Sequence, residues 1–202
     1  MSLERAYQAP GAAERYQQRR WSERAHARRA DRREQSIVAG LLSRCGCMRA
    51  ILDVPCGTGR FQPLLSRAAP LCLACDRTAA MLRLAPASRR LQAAAERLPL
   101  RDSAVDLAFC MRLLHHLQQP QLRIAVLREL ARVSRRHAIA SWYDRASLPA
   151  WRQRVRGRAR ARFPIARRQF EREAQTAGWR VIAQRYLARG LSEQVIALLE
   201  RS

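Results

Sequence analysis

The chain has 202 residues, enough for one domain with a substantial core, and 48% of them are hydrophobic, which argues against a disordered chain. Its 39 basic residues against 16 acidic ones give a formal net charge of +23, and all 39 are arginine. Such a surface attracts polyanions whether or not one is its partner. No stretch approaches the ~20 uninterrupted apolar residues of a membrane span, and Met1-Ser2-Leu3-Glu4-Arg5 lacks the apolar core of a signal peptide, so a cytoplasmic location is expected.

In chain order, Pro10-Gly11 breaks a short leading segment, and Ala12 to about Arg44 is helical in composition. Ile37, Val38, Leu41 and Leu42 form an apolar face there, with Glu34 assigned to the polar stretch. Tyr7, Tyr16 and Trp21 punctuate the arginine-rich part. They suit either a helix packed across a sheet or a lid over a site. Residues 1–47 are therefore set apart as an N-terminal helical extension, and 48–202 as the main domain.

The apolar run Ala50-Ile51-Leu52 ends on Asp53 and passes through Pro55, Cys56, Gly57 and Gly59 before apolar residues resume at Phe61 and Leu64-Leu65. That is a buried strand, a tight turn and a helix start, in which glycine lets backbone approach a ligand closely. A second strand, Leu71 to Cys75, ends on Asp76, about 20 residues beyond the turn, where an acid reaches ribose hydroxyls. Thr78 reads as an N-cap for the helix Ala79 to Ala85. A third strand is expected from Leu91 to Ala95, followed by Glu96-Arg97-Leu98-Pro99.

Val105 to Cys110 reads as a fourth strand, with Arg112 and His115-His116 beyond its end. Pro120 opens a helix whose Leu122, Val126, Leu127, Leu130 and Val133 keep helical spacing, and Ala138 to Trp142 is a fifth strand. Between Arg145 and Arg168 there is no acid, and Pro149, Gly157 and Pro164 keep any helix short. A last helix, Ala166 to Ala177, stops at Gly178, and Trp179–Tyr186 and Gln194–Leu199 form a closing hairpin. Alternating strands and helices of this kind imply an α/β, doubly wound, mostly parallel sheet with helices on both faces and an antiparallel C-terminal hairpin.

Six cysteines offer C-x-C at Cys45 and Cys47 and C-x-x-C at Cys72 and Cys75, with Cys56 and Cys110 alone. The last pair lies in a strand, where residues three apart face opposite sides. No second pair completes a zinc pattern, so buried reduced thiols and no metal site are expected.

The absence of G-x-G-x-x-G and of any lysine sets aside dinucleotide and P-loop fingerprints. The string Asp53-Val54-Pro55-Cys56-Gly57-Thr58-Gly59 resembles the first motif of class I S-adenosylmethionine-dependent methyltransferases, with Pro55 at the usual first glycine. Asp76-Arg77-Thr78-Ala79-Ala80-Met81-Leu82, Ala95-Glu96-Arg97-Leu98-Pro99 and Asp106…Leu114-His115-His116 are similar to the later segments of the same family, of the methyltransferase type 11 kind. The resemblance spans residues 48–144 and implies a Rossmann-like fold of about seven strands with S-adenosylmethionine as cofactor. It implies that Asp53, Pro55, Gly57, Gly59, Asp76, Arg77, Ala95, Glu96, Cys110 and Arg112 line the cofactor site. Ala94 stands where many members carry an aspartate facing the adenine, leaving that contact to backbone near Ala95 and Glu96.

His115 and His116 are candidate general bases, since imidazole titrates near neutrality, or else pack the helix that follows. The expected function is methyl transfer to a small-molecule or lipid-linked acceptor, anionic if the Arg145–Arg168 tract covers it. The alternatives are an RNA methyltransferase, suggested by the charge, and a cofactor-binding protein without catalysis.

Overall fold

A computed structural model describes residues 25–155 and 162–202, with no account of the side chains of 25–27. The expected N-terminal stretch before residue 25 and the centre of the arginine tract, 156–161, lie outside the described residues. The elements are α1 (Ala25–Leu42), β1 (Ala50–Asp53), α2 (Gln62–Ala68), β2 (Leu71–Asp76), α3 (Ala79–Leu84) and β3 (Arg89–Gln92). They continue with β4 (Val105–Cys110), a 3-10 turn at Leu114–His116, α4 (Pro120–Val133), β5 (Ser134–Tyr143), α5 (Leu148–Val155), α6 (Arg167–Thr176), β6 (Trp179–Tyr186) and β7 (Gln194–Arg201).

The seven strands form one sheet in the order β3-β2-β1-β4-β5-β7-β6. All neighbouring pairs are parallel until β7, which runs antiparallel to both β5 and β6. The strand order reverses between β1 and β4, and a crevice opens at the carboxyl ends on either side of such a reversal.

Strand periodicity assigns the two faces. Leu107, Phe109, Ile51 and Ile139 join Val38, Leu41 and Leu65 on the α1/α2 side. Ala108, Cys110, Leu52 and Trp142 join Val126, Leu127, Leu130, Phe170 and Trp179 on the α4/α6 side. Trp142 stacks on Phe170 with centroids 5.1 Å apart, and the Trp179 indole N–H donates to the Leu127 carbonyl at 2.8 Å. Cys72 and Cys75 do fall on opposite faces. All six cysteines are free, but Cys47 is exposed and Cys72 half-buried, contrary to the expectation that all are buried.

Three other expectations need correction. The third strand is β3 at Arg89–Gln92, earlier than Leu91–Ala95. It is an edge strand, and its arginines pair with Leu73 and Ala74 through backbone alone, so it carries no apolar signal. Thr78 does sit at the N-cap of α3, but its side chain makes no capping bond; its backbone N–H instead donates to Asp76. Glu34 is not on a polar face at all: it is completely buried.

Candidate active site

The site grows from the ends of β1, β2 and β4. After Asp53 the Val54–Pro55 bond is cis, and Gly57 and Gly59 take φ of +55° and +76°. A Cβ at Gly59 would lie 2.4 Å from the Pro86 ring, so this turn closes against the end of α3. Around Gly57 the space is open. The Gly57 N–H donates to Asp76 Oδ2 at 2.9 Å, and the Thr78 N–H donates to Asp76 Oδ1 at 2.9 Å. One carboxylate thus joins the glycine turn to the end of the next strand, with lone pairs left on both oxygens. Burial pushes the Asp76 carboxyl above its ordinary range, partly offset by these two N–H groups.

Asp53 lies deeper, 2% exposed, and accepts from the Gln62 amide at 2.9 Å. Burial pushes its carboxyl up to about 7; Gln62 opposes this and the charge of Asp76 adds to it. The folded state therefore keeps a proton that the unfolded chain releases near its ordinary value of 3.8. Stability should fall as pH rises from about 4 through about 7 and level off above. Melting curves from pH 5 to 8 should show this, with a shallower slope in Asp53→Asn. An unchanged slope in that variant would place the titrating group elsewhere.

Across the crevice, Arg112 follows β4 with φ +62°, a backbone state rare for a side chain of this size, and its N–H donates to Ser141 Oγ at 2.7 Å. Its guanidinium pairs with Glu34 of α1 at 2.8 Å, and Arg60, just after the glycine turn, pairs with the same carboxylate at 2.7 Å. Asp31 also pairs with Arg60, and the Gln194 amide donates to Glu34. Burial works against the charge on Glu34, but Arg112 and Arg60 outweigh it and hold the carboxyl below its usual range. Helix α1 is thereby fastened to both walls of the crevice.

His115 is 3% exposed and its ring stacks on Tyr143, centroids 3.8 Å apart and planes 13° from parallel. His116 is half-buried beside it, with ring centroids 4.1 Å apart. Arg162 lies over the Tyr143 ring, 5.6 Å from its centroid, and its guanidinium is 3.7 Å from the buried Glu193 carboxylate. Burial pushes both the Tyr143 phenol and the Glu193 carboxyl up.

The structure therefore brings Asp53, Pro55, Gly57, Gly59, Asp76 and Arg112 to one edge of the sheet, with Arg77, Ala95 and Glu96 in the segments beyond β2 and β3. Arg77 and Glu96 are exposed and Ala95 is buried. Cys110 is fully buried at the end of β4, so only its backbone faces the crevice edge. Sequence reasoning missed Arg60, Tyr143's stacking role, Glu193 and Gln194. Among the described residues there is no group of three His, Cys, Asp or Glu placed to hold a metal ion, and no helix long and apolar enough to cross a membrane.

The fold is the Rossmann-like fold of class I methyltransferases. Residues 52–141, somewhat less than half of the chain, match the family model described as "Methyltransferase domain", which indicates an S-adenosylmethionine-dependent methyltransferase. No curated protein matches it in sequence. Among solved structures, the magnesium protoporphyrin IX methyltransferase of Synechocystis PCC 6803 with bound SAH is similar, at a TM-score of 0.79 and 14% identity, over 99% of each chain. A protein of Pyrococcus horikoshii OT3 is similar at 0.71 and 16% identity, over 94% of this chain and 99% of that one. A Thermotoga maritima enzyme, described as a possible histamine N-methyltransferase, gives 0.61 and 16% identity over 82% of this chain and 89% of that one.

S-adenosylmethionine is the cofactor of this enzyme class. The residues present fit it: Gly57 leaves open space where a Cβ would stand, and Asp76 retains acceptor capacity for hydroxyl groups beside that turn.

Proposed function

We propose that the chain transfers a methyl group from S-adenosylmethionine to a small-molecule or lipid-linked, anionic acceptor in the cytoplasm. The observation that carries the site assignment is the hydrogen bond from Gly57 to Asp76, which unites two motifs 19 residues apart at the strand reversal. When bound, the cofactor's sulfonium supplies an electrophilic methyl carbon. The chain's own part is to bind, orient and exclude water.

In this reading Asp76 holds the ribose hydroxyls, Arg77 and the backbone at Ala95 and Glu96 flank the adenine, and Asp53, Pro55, Gly57, Gly59 and the Cys110 backbone shape the floor. Arg112 receives the cofactor's carboxylate end, with Arg60 beside it. The 1–47 extension acts as a lid, a role supported by the burial of Glu34 between these two arginines. His115, clamped against Tyr143, positions that ring, and the half-buried His116 is the candidate to take a proton from the acceptor. The small-molecule reading draws on the neighbours described as acting on a porphyrin and as a possible histamine N-methyltransferase.

Calorimetry with millimolar S-adenosylmethionine tests the first step. Asp76→Ala should lose about 1.5–3 kcal/mol of cofactor affinity, the worth of hydrogen bonds to a charged acceptor. Equal affinity in the variant would move the site. Radiolabelled methyl transfer into metabolite, lipid and RNA fractions then separates the acceptor classes, and no transfer into any of them would favour a binding protein.

A further inference from the structure

Beyond Tyr143 the same sheet edge opens into a second cavity, of about 580 Å³, that the cofactor reading leaves unused. Its wall carries Arg145, Arg154, Arg167 and Arg189 against a single acid, Asp144, and Tyr186 also lines it. The four arginines come from four segments: the turn after β5, helix α5, the start of α6 and the β6–β7 turn. Backbone bonds fix these segments to one another. The Arg145 N–H donates to the Ile165 carbonyl and the Ile165 N–H to the Tyr143 carbonyl, both at 2.9 Å, while the Leu148 N–H donates to the Gly190 carbonyl at 2.9 Å.

The charges inside do not cancel. Asp144 accepts from the Ala146 N–H at 2.9 Å within its own turn, and Arg167 pairs with Glu171 at 2.8 Å. Arg189 lies over the Tyr186 ring, 5.9 Å from its centroid, and so contributes its charge to the wall without an acidic partner there. Ser147, just before α5, and the Ala166 N-cap of α6 also line the cavity, and the α6 cap has no side-chain acceptor. The N-terminus of α6 adds a field of the same sign as the arginines. A volume of this size exceeds a lone inorganic anion and suits an organic body carrying several acidic groups.

We propose that this cavity binds an organic anion with two or more carboxylate or phosphate groups, and that it takes the acidic end of the methyl acceptor. The second half rests on the methyltransferase reading above. Arginine suits both groups, because its planar fork meets either oxyanion in pairs of hydrogen bonds. The aromatic ring of Tyr186 gives the ligand body a flat surface beside the charges.

Titration calorimetry of the full chain with pyrophosphate and, separately, with citrate reads the site directly. Saturable binding of at least one is expected, weakening as ionic strength rises. Preference between them tells a phosphate-bearing ligand from a polycarboxylate. The Arg145→Gln/Arg189→Gln variant should bind about tenfold more weakly or worse. Arg128→Gln/Arg172→Gln removes equal charge from exposed positions on α4 and α6 and should stay within about twofold of the parent. Should the first variant melt early, Arg145→Lys/Arg189→Lys keeps the charge but loses the fork, and should bind at an intermediate strength. Equal weakening in both glutamine pairs overturns the proposal, as does no saturable binding of either anion. Tighter binding of single-stranded RNA, equally sensitive to both pairs, also overturns it. S-adenosylmethionine titrated into the same proteins keeps the two readings apart, since it should bind parent and variants alike. A parent that binds the anions but not this cofactor would retain the site and lose the methyltransferase reading.

Discussion

Replacing Arg123 by alanine is expected to destabilise the protein by about 3–5 kcal/mol, the usual consequence of removing one member of a buried ion pair. Arg123 is 2% exposed, and its guanidinium grips Glu173 of α6 through two bonds of 2.6 and 2.8 Å. The third nitrogen, Nη1, donates to the carbonyls of Leu117 and Gln118 at 2.6 and 2.9 Å, closing the segment between the histidine pair and α4. Alanine would leave the buried Glu173 carboxylate with only the Gln169 amide, at 3.0 Å, and would free both carbonyls. For a chain of this length the melting temperature should drop by roughly 6–20 °C. The pair itself need not be favourable relative to an apolar one. Arg123→Met combined with Glu173→Leu should regain much of the loss. A double variant no better than the single one would show that the carbonyl contacts, rather than the stranded carboxylate, dominate.

The same residues mark what a sequence can and cannot disclose. The turn through Pro55, Gly57 and Gly59, the acid at Asp76 and the histidine pair were legible because apolar strands end on them and glycine or proline follows. Strand β5 was legible in its centre but not at Ser134-Arg135-Arg136, where it begins through a register irregularity and without apolar side chains. β3 was displaced for the same reason. Glu34, Arg123 and Glu173 were overlooked because their partners lie 78, 50 and 50 residues away.

A signal for them did exist. Glu34 stands one turn before Val38, in line with Leu41. Arg123 continues the stripe of Val126, Leu127 and Leu130, and Glu173 sits among Phe170, Ala174 and Ala177. A charged residue on the apolar stripe of a helix must find a buried partner. Two such stripes of opposite charge, on α4 and α6, therefore predict one another. For Arg60 and Arg112 no equivalent signal was present. Among 39 arginines, position after a strand end is shared by several, and only the fold shows which two flank Glu34.

Gly59→Ala should damage the proposed cofactor site more than any single loss of a polar contact there, because it moves the loop that shapes it. At φ +76° an alanine already carries a backbone cost of roughly 1–2 kcal/mol. Its Cβ would then stand 2.4 Å from Pro86 Cδ, 3.0 Å from Ala85 Cα and 3.1 Å from Ala85 Cβ. None of these is the free end of a flexible side chain, so the backbone must separate. The Gly59 N–H donates to the Cys56 carbonyl and the Gly59 carbonyl accepts from the Gln62 N–H, each at 3.0 Å. Displacing Gly59 therefore pulls on Gln62, whose amide holds Asp53, and on the short link to Gly57, whose N–H holds Asp76. Overpacking adds roughly 1–3 kcal/mol, for a total of about 2–5 kcal/mol. S-adenosylmethionine affinity should fall further than the roughly 10–150-fold expected for Asp76→Ala, since a misplaced turn weakens several contacts at once. Gly57→Ala is the informative comparison, because its Cβ meets nothing within 4 Å of the protein. It should pay the backbone cost alone and keep more of its stability, while its methyl group projects into space the cofactor is proposed to use. Stability nearly unchanged in Gly59→Ala, with cofactor affinity intact, would show that the contact with Pro86 does not set the shape of the turn.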